Sequence, residues 1–207
     1  MKKITPFTLI ELLVVVAIIG ILASLLLPSL GKARKKAQQA ICTNKIKQHS
    51  VAVAMYAEDN ENYAPVRYDD GLNWFRQLAS GNYLPNFEVD LRACPNGSPI
   101  QDTDKYWASS IGLNAKLAYD DGAWQIPVPM DTSHGSDTML LMDSYNIMPV
   151  VWATTLTADK VLDSDQEKRI ARHDNKANVG FIDGHVAALG STYLQSKNDA
   201  TADFWLP

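Results

Sequence analysis

The sequence predicts an α+β fold in which a long N-terminal helix packs against a small antiparallel β-sheet. Two observations predict this class: an apolar run near the N-terminus continues into a second helix-forming stretch, and short segments rich in aromatic and β-branched residues follow it. The length of 207 residues suits one ordinary domain with an appendage. Because the chain has only two cysteines, it is neither a disulfide-dense miniature fold nor a four-thiolate zinc protein.

Charge divides the chain into two parts. Residues 1–57 contain eight Lys or Arg and one acid, Glu11, for a net charge of +7. Residues 58–207 contain eleven Lys or Arg and twenty-two acids, for a net charge of −11. This division indicates that the two parts lie in different surroundings, one of them beside an apolar or anionic phase.

The first element is an apolar helix. Residues from Phe7 to Leu27 hold one charge in twenty-one positions, and at about 1.5 Å per residue they reach roughly 31 Å, enough to span a bilayer. A helix is preferred because it satisfies its own backbone polar groups in lipid. Three interpretations compete: a cleaved secretory signal, for which Pro28 to Gly31 supply a poor cleavage site, a plain single-pass anchor, or the anchor of a filament subunit.

Glu11 is the only acid in the apolar run, and a carboxylate in lipid needs a partner. One explanation is local, because Thr8 to Glu11 fit a capping box with Thr8 as the N-cap. The other is intermolecular. If a peptidase cuts between Pro6 and Phe7, the new amine of Phe7 can neutralise Glu11 of a neighbouring chain and set the register between the two chains.

A second helical stretch resumes after Pro28 and is predicted to end at Ala57. It carries an apolar stripe at spacings of three and four residues, formed by Cys42, Ile46, His49 and Val53. The stripe is expected to face the sheet, with His49 as a packing residue rather than a ligand. Together the two stretches make an almost continuous helix of about fifty residues, roughly 75 Å long.

The remaining chain contains shorter elements. A helix is predicted at residues 74–78 and a turn at Cys94–Gly97. Five strands are predicted, at Tyr106–Leu113, Thr138–Met142, Pro149–Ala153, Asn178–Ile182 and His185–Leu189. The last two are joined by Asp183-Gly184, a strong hairpin signal. An antiparallel sheet packed on the long helix is the economical assembly of these pieces.

The stretch from Lys2 to Pro28 resembles the N-terminus of type IV prepilins, a class that includes the type II secretion pseudopilins. The resemblance rests on a short basic leader, Phe7, an acid four residues later at Glu11, and an apolar helix interrupted by Pro28. It implies cleavage before Phe7 by a prepilin peptidase and N-methylation of Phe7 by the same enzyme. The family usually has Gly where this chain has Pro6.

The resemblance implies a type IV pilin-like architecture with four parts. These are a leader at 1–6, a transmembrane and assembly helix at 7–28 that Pro28 kinks or locally melts, a stalk helix at 29–57 and an exported α+β domain at 58–207. The chain would cross the inner membrane once, with its N-terminus cytoplasmic and its C-terminal domain periplasmic, or extracellular after assembly. Cations flank the apolar run on both sides, so charge alone does not settle this orientation.

The function implied is that of a structural subunit of a type IV pilus-like filament or a type II secretion pseudopilus. Its expected partners are other pilin or pseudopilin subunits, the prepilin peptidase and an inner-membrane assembly platform. The alternative is a monomeric membrane-anchored module that binds glycan or peptide outside the cytoplasm. Nucleic acid is not an expected partner, because the basic stretch from Lys32 to Lys47 has no interleaved aromatic residues and the C-terminal domain is acidic.

A second resemblance lies near the C-terminus. His173, nine intervening residues and then Asp183-Gly184 are similar to the H-X9-DG segment of a bacterial group of prepilin-like proteins with the same leader. That group also tends to have residues similar to Cys42 with Asn44, Cys94-Pro95 and Met142-Asp143-Ser144. A metal or acid–base site built from the histidines and aspartates of this segment is the less favoured interpretation, because Asp183 serves the turn.

Cys42 and Cys94 are the only cysteines, and in an exported domain they are expected to form a disulfide; the alternative is two buried free thiols. No enzyme and no cofactor is predicted, because the sequence has no Gly-rich phosphate loop, nucleophile elbow or paired metal-binding histidine motif. Calcium is a weak possibility at Asp69–Gly71, Asp120–Gly122 and Asp163–Asp165, none of which continues into an EF-hand pattern.

Overall fold

The computed structural model describes residues 8–66, 68–69, 72–84, 89–97, 109–118, 129–130, 133, 135–145, 150–151, 156–165, 169–198 and 203–205. The chain divides into two compact units, Met1–Ala37 and Gln38–Pro207. They are called the N-terminal unit and the C-terminal unit below.

Helix α1 (Leu9–Asp59) begins in the N-terminal unit and ends in the C-terminal unit. Its most apolar 18-residue window has a mean hydropathy of 2.9 and none of it is buried, so α1 is long and apolar enough to cross a membrane. The helix is unbroken at Pro28, so the backbone is not melted there. A bend of the helix axis at Pro28 stays a prediction.

In the C-terminal unit, α1 buries one stripe of side chains. These are Cys42, Ile46, His49, Ser50, Ala52, Val53 and Ala57. The stripe expected from the spacing of apolar residues is therefore confirmed. The helix ends two residues beyond the predicted Ala57, where Glu61 and Asn62 adopt positive φ angles of 54° and 65° and the N–H of Asn62 donates to the carbonyl of Ala57 at 2.9 Å.

Two short strands and three short helices follow α1 and its turn. They are β1 (Tyr68–Asp69), β2 (Leu72–Asn73), α2 (Trp74–Ser80), α3 (Val89–Arg92) and α4 (Ala115–Ala118). Strand β3 (Ile111–Asn114), which belongs to the main sheet, comes directly before α4. Helix α2 starts at the predicted Trp74 because the side chain of Asn73 caps it, accepting from the N–H of Arg76 at 3.2 Å. The predicted turn at Cys94–Gly97 is closed by the N–H of Gly97 donating to the carbonyl of Cys94 at 2.8 Å.

The main sheet has five strands: β3 and the four later strands β4 (Met139–Asp143), β5 (Val150–Val151), β6 (Lys176–Phe181) and β7 (Val186–Gly190). Two more short helices, α5 (Ala158–Val161) and α6 (Ser191–Gln195), lie in this part of the sequence. The strand order of the main sheet is β5-β3-β4-β6-β7. The pairs β3–β4, β4–β6 and β6–β7 are antiparallel. The predicted α+β class, with a long helix packed on an antiparallel sheet, is therefore confirmed.

The edge strand β5 differs from the all-antiparallel expectation, because it pairs with β3 in parallel. Only residues 144–149 separate β4 from β5. Such a short connection does not return along the sheet, so β5 starts near the end where β4 stops and runs in the direction of β3. Residues 106–108, 149 and 152–153 of the predicted strands lie outside the described part of the chain.

Both faces of the sheet are covered. One face packs against α1 and α2 through a cluster that includes Ile46, Val53, Trp74 and Leu113. The other face packs against the C-terminal residues through a cluster that includes Val179, Phe204 and Trp205. Side chains of a regular strand alternate between faces, but the register shift between Met139 and Leu141 lets the adjacent Leu140 and Leu141 join the same cluster, while Met139 and Met142 join the other.

Candidate functional site

The surface most unlike that of a soluble protein lies in the N-terminal unit. Every described residue from Thr8 to Ala37 is exposed. The apolar segment, defined as residues 9–30, displays fifteen large apolar side chains that are 47–79% exposed: Leu9, Ile10, Leu12, Leu13, Val14, Val15, Val16, Ile18, Ile19, Ile21, Leu22, Leu25, Leu26, Leu27 and Leu30. Exposure of so large an apolar surface to water is strongly unfavourable, so this helix needs lipid or neighbouring helices around it.

Glu11 starts this segment with the expected capping box. Both the N–H and the Oγ1 of Thr8 donate to Oε2 of Glu11, at 2.8 and 2.7 Å, and the N–H of Glu11 donates back to Thr8 Oγ1 at 3.3 Å. The local explanation for the acid therefore has a structural basis. Pro6 and Phe7, the other members of the predicted processing site, lie outside the described residues.

The second arrangement is a buried cluster in the C-terminal unit, defined as Cys42, Cys94, Asp143 and His173. Cys42 on α1 and Cys94 after α3 form a disulfide, with their Cα atoms 5.6 Å apart and 52 positions apart in sequence. The Nε2 atom of His173 lies 3.4 Å from Cys94 Sγ and 3.6 Å from Asp143 Oδ2. Each of these residues is at most 4% exposed.

A tight turn places His173. Its N–H and carbonyl pair with the carbonyl and N–H of Lys176 at 3.0 and 3.1 Å, and the two residues between them, Asp174 and Asn175, have φ angles of 54° and 60°. Two successive positive φ angles are the signature of a type I′ hairpin turn. Sequence reasoning began the strand at Asn178 and missed this turn, although the Asp-Asn pair was its signal.

Burial sets the protonation of the cluster. Burial lowers the pKa of His173, while the nearby Asp143 carboxylate acts in the opposite direction. Burial likewise raises the pKa of Asp143, against the attraction of His173 and Arg172. Because Asn96 Nδ2 lies 3.4 Å from His173 Nδ1, we assign the neutral tautomer in which Nδ1 accepts and Nε2–H points toward the Cys94 sulfur.

Several polar groups that the sequence did not single out support Asp143. The N–H of Asn178 donates to Asp143 Oδ2 at 2.7 Å, and Thr43 Oγ1 on α1 donates to Asn178 Oδ1 at 3.2 Å. The buried Arg172 donates to the carbonyl of Ser144, next to Asp143 in sequence, and burial lowers its pKa. Among the described residues, Asp143 Oδ1 has no hydrogen-bond partner.

The H-X9-DG residues thus fall into two separate sets of contacts. His173 belongs to the buried cluster, whereas Asp183 and Gly184 form the β6–β7 turn. Asp183 Oδ1 accepts from the N–H of His185 at 3.0 Å and lies 2.6 Å from its Nδ1, and Gly184 adopts a φ of 83°. The carbonyl of Gly184 accepts from Lys47 on α1. The segment therefore serves the fold at two positions, a role consistent with the turn interpretation of Asp183.

The acidic loops considered for calcium are only partly described. Asp70, Gly71 and 120–122 lie outside the described residues. In the third loop, Asp163 Oδ1 accepts from the N–H of Asp165 at 2.9 Å and Asp163 Oδ2 accepts from the hydroxyl of Tyr145 at 3.0 Å. Both carboxylate oxygens of Asp163 are therefore engaged by protein donors.

Curated proteins with known roles match the chain. It is 31% identical over 142 residues to type II secretion system core protein G of Aeromonas hydrophila, an alignment covering 60% of this chain and 95% of that protein. It is 36% identical over 101 residues to core protein G of Pseudomonas aeruginosa, covering 46% and 70%. It is 44% identical over 63 residues to the type IV wide pilus major component PilA4 of Thermus thermophilus, covering 30% and 48%.

Neither a protein-family model nor a solved structure matches the chain. The three relatives named above are all components of secretion systems or pili. Two are core proteins of type II secretion and the third is a pilus component.

Proposed function

Because the chain belongs to the pilin and pseudopilin family as a relative of type II secretion system core protein G, we propose that it is a structural subunit of a pseudopilus or of a type IV pilus-like filament. The observation that carries the proposal is the match to nearly the full length of a core protein G. The relatives named in the comparison are secretion and pilus components, so the chain is proposed to polymerise rather than to catalyse a reaction.

The apolar segment is the surface through which subunits would assemble. Before assembly it would lie in the inner membrane as a single span, with the leader 1–6 in the cytoplasm and the C-terminal unit in the periplasm. After assembly, neighbouring helices would replace lipid around the same fifteen apolar side chains, so each remains out of water in both states. The assembly platform and prepilin peptidase of the inner membrane would be its transient partners.

Glu11 and Phe7 would define the contact between successive subunits. Cleavage after Pro6 creates an amine at Phe7, and that cation can pair with Glu11 of the next subunit inside a bundle of apolar helices. An unpaired charge in such surroundings is strongly unfavourable, so one axial register is preferred over others. The exposed position of Glu11 at the start of the apolar segment leaves its carboxylate reachable by a second chain.

Mass spectrometry of the full chain tests this function. The protein is expressed with and without a prepilin peptidase, extracted from membranes and compared by intact mass and N-terminal sequencing. With the peptidase, we expect a chain that begins at a methylated Phe7 and filaments visible by electron microscopy. A chain that still begins at Met1, and remains monomeric under crosslinking, would instead support the membrane-anchored binding module for glycan or peptide.

A further inference from the structure

The buried cluster contains ligand atoms that favour a thiophilic metal ion. Cys42 Sγ, Cys94 Sγ and His173 Nε2 all lie within 4.8 Å of one another. Thiolate sulfur and imidazole nitrogen are the usual ligands of Zn²⁺ in proteins, commonly in sets of four around one ion. A buried carboxylate borders these three atoms, because Asp143 Oδ2 lies 3.6 Å from His173 Nε2.

We propose that the reduced chain binds one divalent cation of the Zn²⁺ class through Cys42, Cys94, His173 and Asp143, and that the disulfide excludes this ion. Both states join α1 to the turn after α3, and the ion would in addition hold the end of β4. Cys42 lies on α1, Cys94 follows α3, and Asp143 ends β4. A bound ion would therefore hold α1 and the turn of Cys94 together in the reduced chain, as the disulfide does in the oxidised chain.

The carboxylate of Asp143 provides an observation independent of the cysteines. Asp143 is fully buried, yet its Oδ1 has no hydrogen-bond partner among the described residues. A buried polar oxygen without a partner is costly. A cation at the cluster would give this carboxylate a partner in addition to the N–H of Asn178, which donates to Oδ2.

The charges of the site would also balance. Two thiolates and the Asp143 carboxylate carry −3, the cation carries +2, and the buried guanidinium of Arg172 carries +1 while it donates to the carbonyl of Ser144. The sum is zero when His173 is neutral. Neutrality matters because an uncompensated charge in a buried site costs several kcal/mol.

The surroundings of His173 suit a ligand role. Once Nε2 binds a cation, Nδ1 carries the ring proton. Asn96, whose side-chain amide lies 3.4 Å from Nδ1, can then present its oxygen by a rotation of the amide. Ligating histidines generally donate their second N–H to such an acceptor, which orients the ring.

The chemical balance of the exchange is simple. A dithiol reductant attacks one cysteine sulfur, the Cys42–Cys94 bond breaks, and two electrons pass to the cysteines while the reductant becomes a disulfide. Each cysteine is then a thiol and loses its proton when it binds the cation, so two protons are released per ion. For reoxidation, a disulfide oxidant accepts two electrons and two protons and becomes a dithiol, while the Cys42–Cys94 bond forms again and the ion is released.

Cobalt binding by the full chain in detergent micelles tests the proposal. The chain is reduced, kept anaerobic and titrated with Co²⁺, whose thiolate charge-transfer and tetrahedral d–d absorption bands report its ligands. We expect one Co²⁺ per reduced chain, displacement by Zn²⁺, and no bands for the oxidised chain. Substoichiometric binding, or bands without thiolate character, would overturn the proposal.

Substitutions identify the remaining ligands. We expect His173→Ala and Asp143→Asn to weaken Co²⁺ binding by at least about tenfold, whereas the exposed His185→Ala leaves it unchanged. Equal binding by His173→Ala and the parent chain would contradict the assignment. If reduction unfolds the chain, added Zn²⁺ is expected to restore its folded circular dichroism spectrum, and failure to do so would also overturn the proposal.

Discussion

Among single residues, Glu11 has an observed capping role and a proposed assembly role, and substitutions can separate the two. Its Oε2 completes a capping box with Thr8, and the same carboxylate is the only negative charge in the proposed assembly surface. The capping box requires an acceptor at this position, which Glu and Gln both provide. The proposed pairing with a neighbouring amine requires a negative charge, which only Glu provides.

This difference leads to a prediction with paired variants. Thr8→Ala removes the cap and keeps the charge, so it should cost about 1 kcal/mol of local helix stability and leave filament formation intact. Glu11→Gln keeps the cap and removes the charge, so it should insert into membranes but fail to assemble. Filament yield measured by electron microscopy and sedimentation distinguishes the two.

The control for these variants is Glu58→Ala, which removes an exposed acid elsewhere on α1. It should assemble like the parent chain. If Thr8→Ala abolishes filaments as fully as Glu11→Gln does, the capping box rather than the charge pair is the function of Glu11.

The titration of His49 should make the free energy of unfolding depend on pH. It is fully buried, its ring packs edge-on against Trp74 with centroids 5.5 Å apart, and its Nδ1 lies 2.8 Å from the carbonyl of Lys45. Burial is the main cause that lowers its pKa to about 4, and the cations Lys45 and Arg92 contribute. The unfolded chain therefore binds a proton at His49 at a higher pH than the folded chain does.

The sign of the pH dependence follows from this lowered pKa. Between the unfolded value of about 6.5 and the folded value of about 4, the unfolded state takes up more protons, so His49 destabilises the fold as pH falls, by roughly 3 kcal/mol in total. Urea unfolding of the parent chain and of His49→Phe at pH 7 and pH 4.5 measures this loss of stability. The parent should lose more stability than the variant, and equal losses would show that His49 is not responsible.

Among the helices and strands, α1 and β6 pack closely against each other at Gly180. A Cβ atom placed on Gly180 would lie 2.8 Å from both Ile46 Cγ2 and Ser50 Oγ, which are buried side chains of α1. The absence of a side chain at this position therefore sets how closely the helix approaches the sheet. Gly190, at the end of β7, has no atom within 4 Å of the same constructed position.

We expect Gly180→Ala to destabilise the fold by about 1–3 kcal/mol, because the extra methyl group forces α1 and β6 apart. Gly190→Ala adds the same methyl group in open space and should change stability by less than about 0.5 kcal/mol. Chemical unfolding of both variants gives the comparison. Equal effects would show that α1 does not limit the space at Gly180.

For the chain as a whole, the Cys42–Cys94 disulfide is the main covalent constraint. It closes a loop of 52 positions that contains the end of α1, the β1–β2 pair and α2. In the chain-entropy model, a loop of this length stabilises the folded state by about 4 kcal/mol through its effect on the unfolded chain. The bond also lies beside His173, so its loss removes a buried packing partner.

We therefore expect the double variant Cys42→Ala/Cys94→Ala to lose about 4 kcal/mol of unfolding free energy relative to the oxidised parent. Urea unfolding of both proteins without added metal measures the difference. Adding a reductant to the parent should reproduce most of the loss and leave the double variant unchanged. A parent chain that is insensitive to reductant, with two thiols by mass, would show that the disulfide does not form.

The sequence by itself determined the parts of this protein that depend on neighbours close along the chain. The apolar run, the extent of α1, the stripe from Cys42 to Val53 and the Asp183-Gly184 hairpin all arise from hydropathy, helical spacing or turn preference over a few residues. The capping box of Thr8 and Glu11 is local in the same way.

Only the tertiary structure decided which distant residues meet. Cys42, Cys94, Asp143 and His173 come from four separate places in the chain, and the parallel position of β5 depends on which edge of the sheet was free. These contacts follow from long-range packing, which local patterns do not encode. A composition that excludes a four-thiolate zinc site therefore still permits the proposed mixed site, because the fold places His173 beside the two cysteines and Asp143 beside His173.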